Sequence, residues 1–249
     1  MRILVLGHSG SEGATLPDPT RSWPIRLGTA LEPVFGPVEV VSRSYYPNGR
    51  PALAYLERCL GEVDADVIVA QPGVFALTVN DVAYAIRDRF GKRAFHLFEA
   101  IEARSRAVAE SSGRAGETVQ IGARRVARRL IGRAPLLGEG IATETWLATL
   151  DRLAQQESVA TFLMAPFNQV NEYVALYPGS QAIAARFTSN LRARAELRHF
   201  GWIDPGPALD AVPGGRSACC LPDMVHRNDL GHDVTLAVVA GRLVHDLRG

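Results

Sequence analysis

Short apolar runs alternate along this chain with longer stretches in which apolar residues recur every three or four positions. The runs are rich in Val and Ile and lack strict polar alternation, the pattern of parallel strands covered on both faces. Strands are predicted at residues 2–6, 38–42, 66–71 and 159–165, with a weaker one at 201–203. A helix is predicted after Ser22, where Trp23, Leu27 and Leu31 fall four apart and Pro24 is tolerated in the first turn. Further helices are predicted at 51–60, 144–156, 180–199 and 229–247, the last with Leu236, Ala240, Leu243 and Leu247 along one face. Five strands joined by helical crossovers predict an α/β fold, a three-layer α/β/α sandwich around a mostly parallel sheet.

Residues 78–156 are far more than one crossover needs, so a helical insertion or lid is expected there within a single domain spanning 1–249. It holds helical stretches around 79–90 and 95–111, a polar break at 111–116, and a basic segment containing Arg124, Arg125, Arg128, Arg129 and Arg133. That segment reads as a solvated helix face, or more sharply as a cover that grips an anionic substrate through arginine forks.

Composition narrows the function. The 249 residues, 47% of them hydrophobic, suffice for one large core. A net charge of +1 gives no reason to expect nucleic acid as a partner. No run approaches the roughly 18 apolar residues of a membrane helix, and the start enters a strand at once, so no membrane partner and a cytoplasmic location are expected. Three cysteines, Cys59, Cys219 and Cys220, form neither a disulfide framework nor a CxxC zinc spacing. Lys92 is the single lysine, which excludes the lysine-bearing phosphate loop near the N-terminus.

In open parallel sheets ligands gather at the carboxyl ends of the strands. After the first strand the chain reads Gly7, His8, Ser9, Gly10, Ser11, Glu12, Gly13, small residues that allow a sharp turn. The loop is compatible with a nucleophilic serine, a phosphate cradle or a plain structural turn. Near the C-terminus, Asp223, Met224, Val225, His226, Arg227 and Asn228 precede a helix that Asn228 or Asp229 would cap. An aspartate three residues before a histidine on a tight turn can orient the imidazole so that its other nitrogen faces a nucleophile. Asp223, His226 and His232 are too few converging ligands for a metal, and no metal or cofactor is expected. Cys219 and Cys220 invite a thiol mechanism with His226, but packing is the preferred reading.

Together, Gly7, His8 and Ser9, the Trp23 and Leu27 helix, and the run from Asp223 to His232 with Gly231 resemble the SGNH, or GDSL, hydrolases. The resemblance spans the chain, although its specific motifs cover only the two ends. It implies a flavodoxin-like sheet and a small-molecule ester as partner, with Ser9 as nucleophile, His226 as general base and Asp223 orienting it. The Ser9 amide would be one oxyanion donor, with Gly49 matching a second. Gly73 aligns with the family glycine that ends the third strand, but Phe75 stands where the asparagine donor belongs. Asn80 and Asp81 mimic the missing dipeptide five residues later, where they are expected to cap a helix. Gln71, Asn48 and Asn80 are the substitutes considered, Gln71 first because it ends a strand pointing at the site. His8 replaces the family's aspartate before the serine and is expected to be structural. His8, Asn48, Phe75 and Asn168 are candidates to touch substrate; Asn168, with Gln169 and Asn171, either does so or satisfies loop backbone. The expected activity is a serine esterase or deacylase; an acyltransferase using the same acyl-enzyme and a non-catalytic binding protein are the alternatives. A homo-oligomer is left open.

Overall fold

A computed structural model of the protein describes residues 1–8, 11, 13, 16–78, 80–81, 85–87, 89–98, 100, 134–167 and 170–249. The chain divides into two compact units, one comprising Met1–Phe75 and Glu139–Gly249, the other Ala76–Gly138.

The first unit is built on five strands, β1 (Arg2–Gly7), β2 (Glu39–Ser44), β3 (Val67–Ala70), β4 (Ala160–Met164) and β5 (Gly201–Ile203). All pair in parallel, in the order β2-β1-β3-β4-β5. That is the flavodoxin-like arrangement, in which the chain reverses direction of travel beside β1 and opens a crevice at the strands' carboxyl ends. The weak fifth strand forms at the predicted residues, and the other four lie within one or two residues of theirs. Residues on successive strand positions face opposite layers. Ile3, Val5, Val67, Val69, Phe162, Met164 and Ile203 pack with Trp23, Leu27 and Leu31 of α1 (Trp23–Phe35) and with the C-terminal helix. On the other face lie α2 (Arg50–Glu62), α3 (Glu139–Leu153) and α4 (Ser180–Leu197), in contact with one another in that order. Truncating Leu27 or Leu31, both fully buried, to Ala would cost about 2–5 kcal/mol.

Two helices depart from their predicted form for identifiable reasons. The helix predicted at 144–156 begins at Glu139 instead. Gly138 and Gly140 argue against helix there, but Ala142 continues the buried stripe of Trp146, Leu150 and Leu153, and Glu139 accepts from Arg186 Nε and Nη2. Tertiary burial thus outweighs local propensity. The C-terminal helix α5 (Asp229–Arg248) buries His232, Thr235, Val239 and Leu243, so its buried face is turned from the predicted one. Leu236, Ala240 and Leu247 only flank the core.

In the second unit Asn80–Asp81 pairs antiparallel with Ala134–Pro135. These two residues are therefore in a ribbon and not the helix cap expected of them. Residues 85–87 and 89–98 are helical. Arg87 donates to the Leu136 carbonyl at 2.9 Å. The basic residues from Arg124 to Arg133 lie outside the described residues. Among the described residues no helix is long and apolar enough to cross a membrane.

Candidate active site

The loop after β1 is held by one serine. Ser11 Oγ accepts from the His8 amide at 2.9 Å and donates to the His8 carbonyl at 2.7 Å, and the Ser11 amide donates to that same carbonyl at 2.7 Å. This closure needs Gly7: a Cβ there would lie 1.9 Å from Ser11 Oγ. Ser9, the expected nucleophile, lies between these anchored residues and outside the described ones.

The C-terminal loop explains its own motif residue by residue. Asp223 Oδ1 accepts from the amides of Val225 and His226, both at 2.9 Å, which forms the tight turn and leaves Met224 in the left-handed region at φ 61°. Its other oxygen, Oδ2, meets His226 Nδ1 at 2.7 Å. Burial alone would raise the Asp223 carboxyl, but the hydrogen bonds from the His226 and Val225 amides and from the imidazole hold it below the usual carboxylate range. Asn228 then ties the loop to α5. Its amide side chain donates to the carbonyls of Ala218 and Cys220, and its oxygen accepts from Gly231 as the N-cap. Gly231 is required because a Cβ would sit 2.3 Å from the Cys219 carbonyl oxygen. His232 accepts from the Trp23 amide at 3.2 Å and joins α5 to α1. Asn228, not Asp229, is thus the cap.

His8 and His226 line one small cavity of about 40 Å³, with the backbone of Gly73 between β3 and Phe75. Its remaining walls are Val74, Phe75, Phe167, Tyr173, Met224 and Val225, so the space is mostly apolar. A much larger open groove, about 740 Å³, runs along α4 but contains neither histidine. The smaller cavity is therefore the one that both motif histidines share. His8 is neutral at ordinary pH: burial, then the nearby charges of Arg227 and His226, push its pKa down to about 3.

The expected donors Asn48, Gly49 and Gln71 do not line this cavity. The Gly49 amide donates to Thr145 Oγ1 at 3.0 Å, so that proton is committed to α3. Asn48 is exposed, and Gln71 is fully buried with no hydrogen-bond partner for either side-chain polar atom. Asn80 belongs to the second unit, Asn171 is exposed at the start of the short helix Asn171–Leu176, and Asn168 and Gln169 lie outside the described residues. Burial raises the Cys219 thiol and pushes Cys220 up to about 11, which keeps both protonated and suits packing over a thiolate role.

Two contributors were not singled out from the sequence. Arg227, almost fully buried, places its guanidinium 4.7 Å from the centre of the Phe167 ring. Tyr173 forms a cavity wall from Asn171–Leu176 beyond β4. Tyr173 was legible in principle, as an aromatic just past a strand's carboxyl end. A buried arginine beside the motif histidine had no such signal, since basic residues are usually solvated.

No family model matches the chain, and no curated protein matches it by sequence. Solved structures do match over nearly its whole length. A lipase/acylhydrolase from Enterococcus faecalis aligns with a TM-score of 0.63 at 11% identity, covering 98% of this chain and 95% of that one. The psychrotrophic esterase EstA from Pseudoalteromonas sp. aligns at 0.58 and 12% identity, over 100% and 99%. A protein of the G-D-S-L family from Desulfitobacterium hafniense DCB-2 aligns at 0.55 and 12%, over 97% and 99%. At identities this low the likeness is one of fold, shared with a lipase/acylhydrolase, an esterase and a protein of the G-D-S-L family.

Proposed function

We propose that this chain, folded as an SGNH hydrolase, is a serine esterase that cleaves a small carboxylic ester through an acyl-enzyme on Ser9. The observation that carries the reading is the Asp223–His226 pair, whose histidine lines the cavity that His8, the residue before Ser9, also lines. Two proteins of like fold, a lipase/acylhydrolase and an esterase, support the same reading.

The steps follow from the roles. With Nδ1 protonated and donating to Asp223, the other imidazole nitrogen of His226 is the acceptor for the Ser9 hydroxyl proton. Ser9 Oγ bonds to the acyl carbon, the carbonyl π pair moves onto oxygen, and its return expels the alcohol, which takes the proton from His226. Water then repeats the sequence and frees the acid. Asp223 stays ionised and stabilises the imidazolium of each tetrahedral stage. The Ser9 amide is the oxyanion donor retained; the Gly49 amide is not assigned because Thr145 holds it. The confined, mostly apolar cavity suits a short acyl group. The segment between β3 and α3 is read as an insertion within one catalytic domain.

Phe75 favours one other reading. With no donor at that position, the same fold would serve as a binding protein without turnover. Fluorophosphonate labelling and p-nitrophenyl acetate hydrolysis separate the two. Wild type is expected to label and turn over, and Ser9→Ala and His226→Ala to do neither. Folded wild-type protein that neither labels nor hydrolyses would refute the esterase reading.

A further inference from the structure

We infer that His8 supplies the oxyanion hydrogen bond that Phe75 cannot, its imidazole N–H donating to the acyl oxygen in the tetrahedral stage. This rests on the esterase reading above.

Three observations converge on it. Besides His226, whose part is that of the base, the side chains lining the cavity that can donate a hydrogen bond are His8 and Tyr173. Of these, His8 is covalently next to Ser9, and its backbone is pinned on both sides by Ser11, so its ring is presented from a fixed loop. The ring also lies directly on Gly73. A Cβ on that glycine would come 2.9 Å from His8 Cδ2 and 3.0 Å from Nε2. Gly73 is not in the left-handed region, so the glycine is needed for the imidazole's space and not for its own backbone. The imidazole therefore rests two residues before Phe75, over the segment from which a carboxamide was expected.

The charge state fits the task. A donor that stays neutral needs no proton of its own from solvent and puts no cation beside His226 as that residue takes up a proton. Burial and the Arg227 guanidinium keep His8 neutral. Arg227 is also a buried positive charge whose field favours an anionic oxygen nearby. A neutral imidazole acting as an electrophilic donor is an established chemical solution to carbonyl polarisation.

The experiment compares wild type with His8→Ala, His8→Gln, Gly73→Ala, Tyr173→Phe and the double variant His8→Ala/Gly73→Ala in p-nitrophenyl acetate kinetics, with circular dichroism to confirm folding. Loss of one oxyanion donor predicts that His8→Ala lowers kcat by about 100- to 1000-fold with KM changed little. Gln restores a donor and is expected to recover roughly tenfold or more of that loss. Gly73→Ala displaces the ring and is expected to fall like His8→Ala, yet to add little in the double variant, because both changes remove one interaction. If His8→Ala does not fold, His8→Gln against Gly73→Ala carries the same contrast. The inference is overturned if wild type is active while His8→Ala keeps its kcat within about threefold. It is equally overturned if Gln is no better than Ala, or if Tyr173→Phe takes the loss instead. Wild type that fails to label with fluorophosphonate would instead bring down the esterase reading, and this inference with it.

Discussion

His232 makes the acid stability of the fold a quantitative matter. Its ring is 1% exposed and accepts a hydrogen bond from the Trp23 amide, so the neutral imidazole joins the first turn of α1 to α5. Burial, followed by the Arg227 charge, pushes its pKa down to about 4 from the usual 6.5. Between those values the unfolded chain holds a proton that the native state refuses, so stability is whole above pH 6.5 and drains as the pH falls toward 4. One such proton is worth about 1.4 kcal/mol per pH unit, or about 3 kcal/mol over the whole window. Asn at this position keeps an oxygen acceptor where Nδ1 sits but does not titrate. Urea denaturation of wild type and His232→Asn at pH 7 and pH 5 should therefore show the gap between them shift by about 2 kcal/mol in favour of the variant on acidification. The repacking cost of the substitution is independent of pH and cancels in that comparison. His8 titrates in the same direction and is present in both proteins, so it cancels too. Stability curves that stay parallel from pH 7 to pH 5 would refute the argument.

Asp223→Asn should retain the turn, because the amide oxygen can still accept from Val225 and His226, while its NH2 group faces Nδ1 and favours the wrong tautomer. A kcat loss of up to about 10⁴-fold in a variant that still folds is expected, read by p-nitrophenyl acetate assays with circular dichroism as the check on folding. Gly7→Ala places a methyl 1.9 Å from Ser11 Oγ and should lower stability by at least about 1–3 kcal/mol in urea melts, with partial relief when Ser11→Ala is added. Thr145→Val strips the Gly49 amide of its acceptor and should cost about 1–3 kcal/mol, read by the same melts, through an unsatisfied donor in a partly buried place.

Much of the candidate site was legible because its residues are constrained locally. The aspartate three before a histidine, the asparagine two after it and the glycine beyond all act within one turn and one helix start. Their hydrogen bonds span ten residues or fewer, and their spacing along the chain already contains the geometry. The Gly7 to Ser11 turn is equally local. The oxyanion donors were not legible in this way. Gly49 looked free until α3 brought Thr145 to its amide from 96 positions away. Gln71 ended a strand aimed at the site, yet its side chain is wholly enclosed.

From the order of apolar runs and amphipathic stretches alone, the chain determined an α/β sandwich around a mostly parallel sheet of five strands, with the strand-end loops at one edge. Periodicity records burial, and burial is what selects strands and helices. Only the tertiary structure decided where α3 begins, which face α5 buries, and that an arginine beside the motif histidine is enclosed against Phe167. It also decided that His8 lies on Gly73, above a cavity that Phe75 lines. Such contacts join residues far apart in the chain, and their cost or gain depends on solvent exclusion, which no single segment carries on its own.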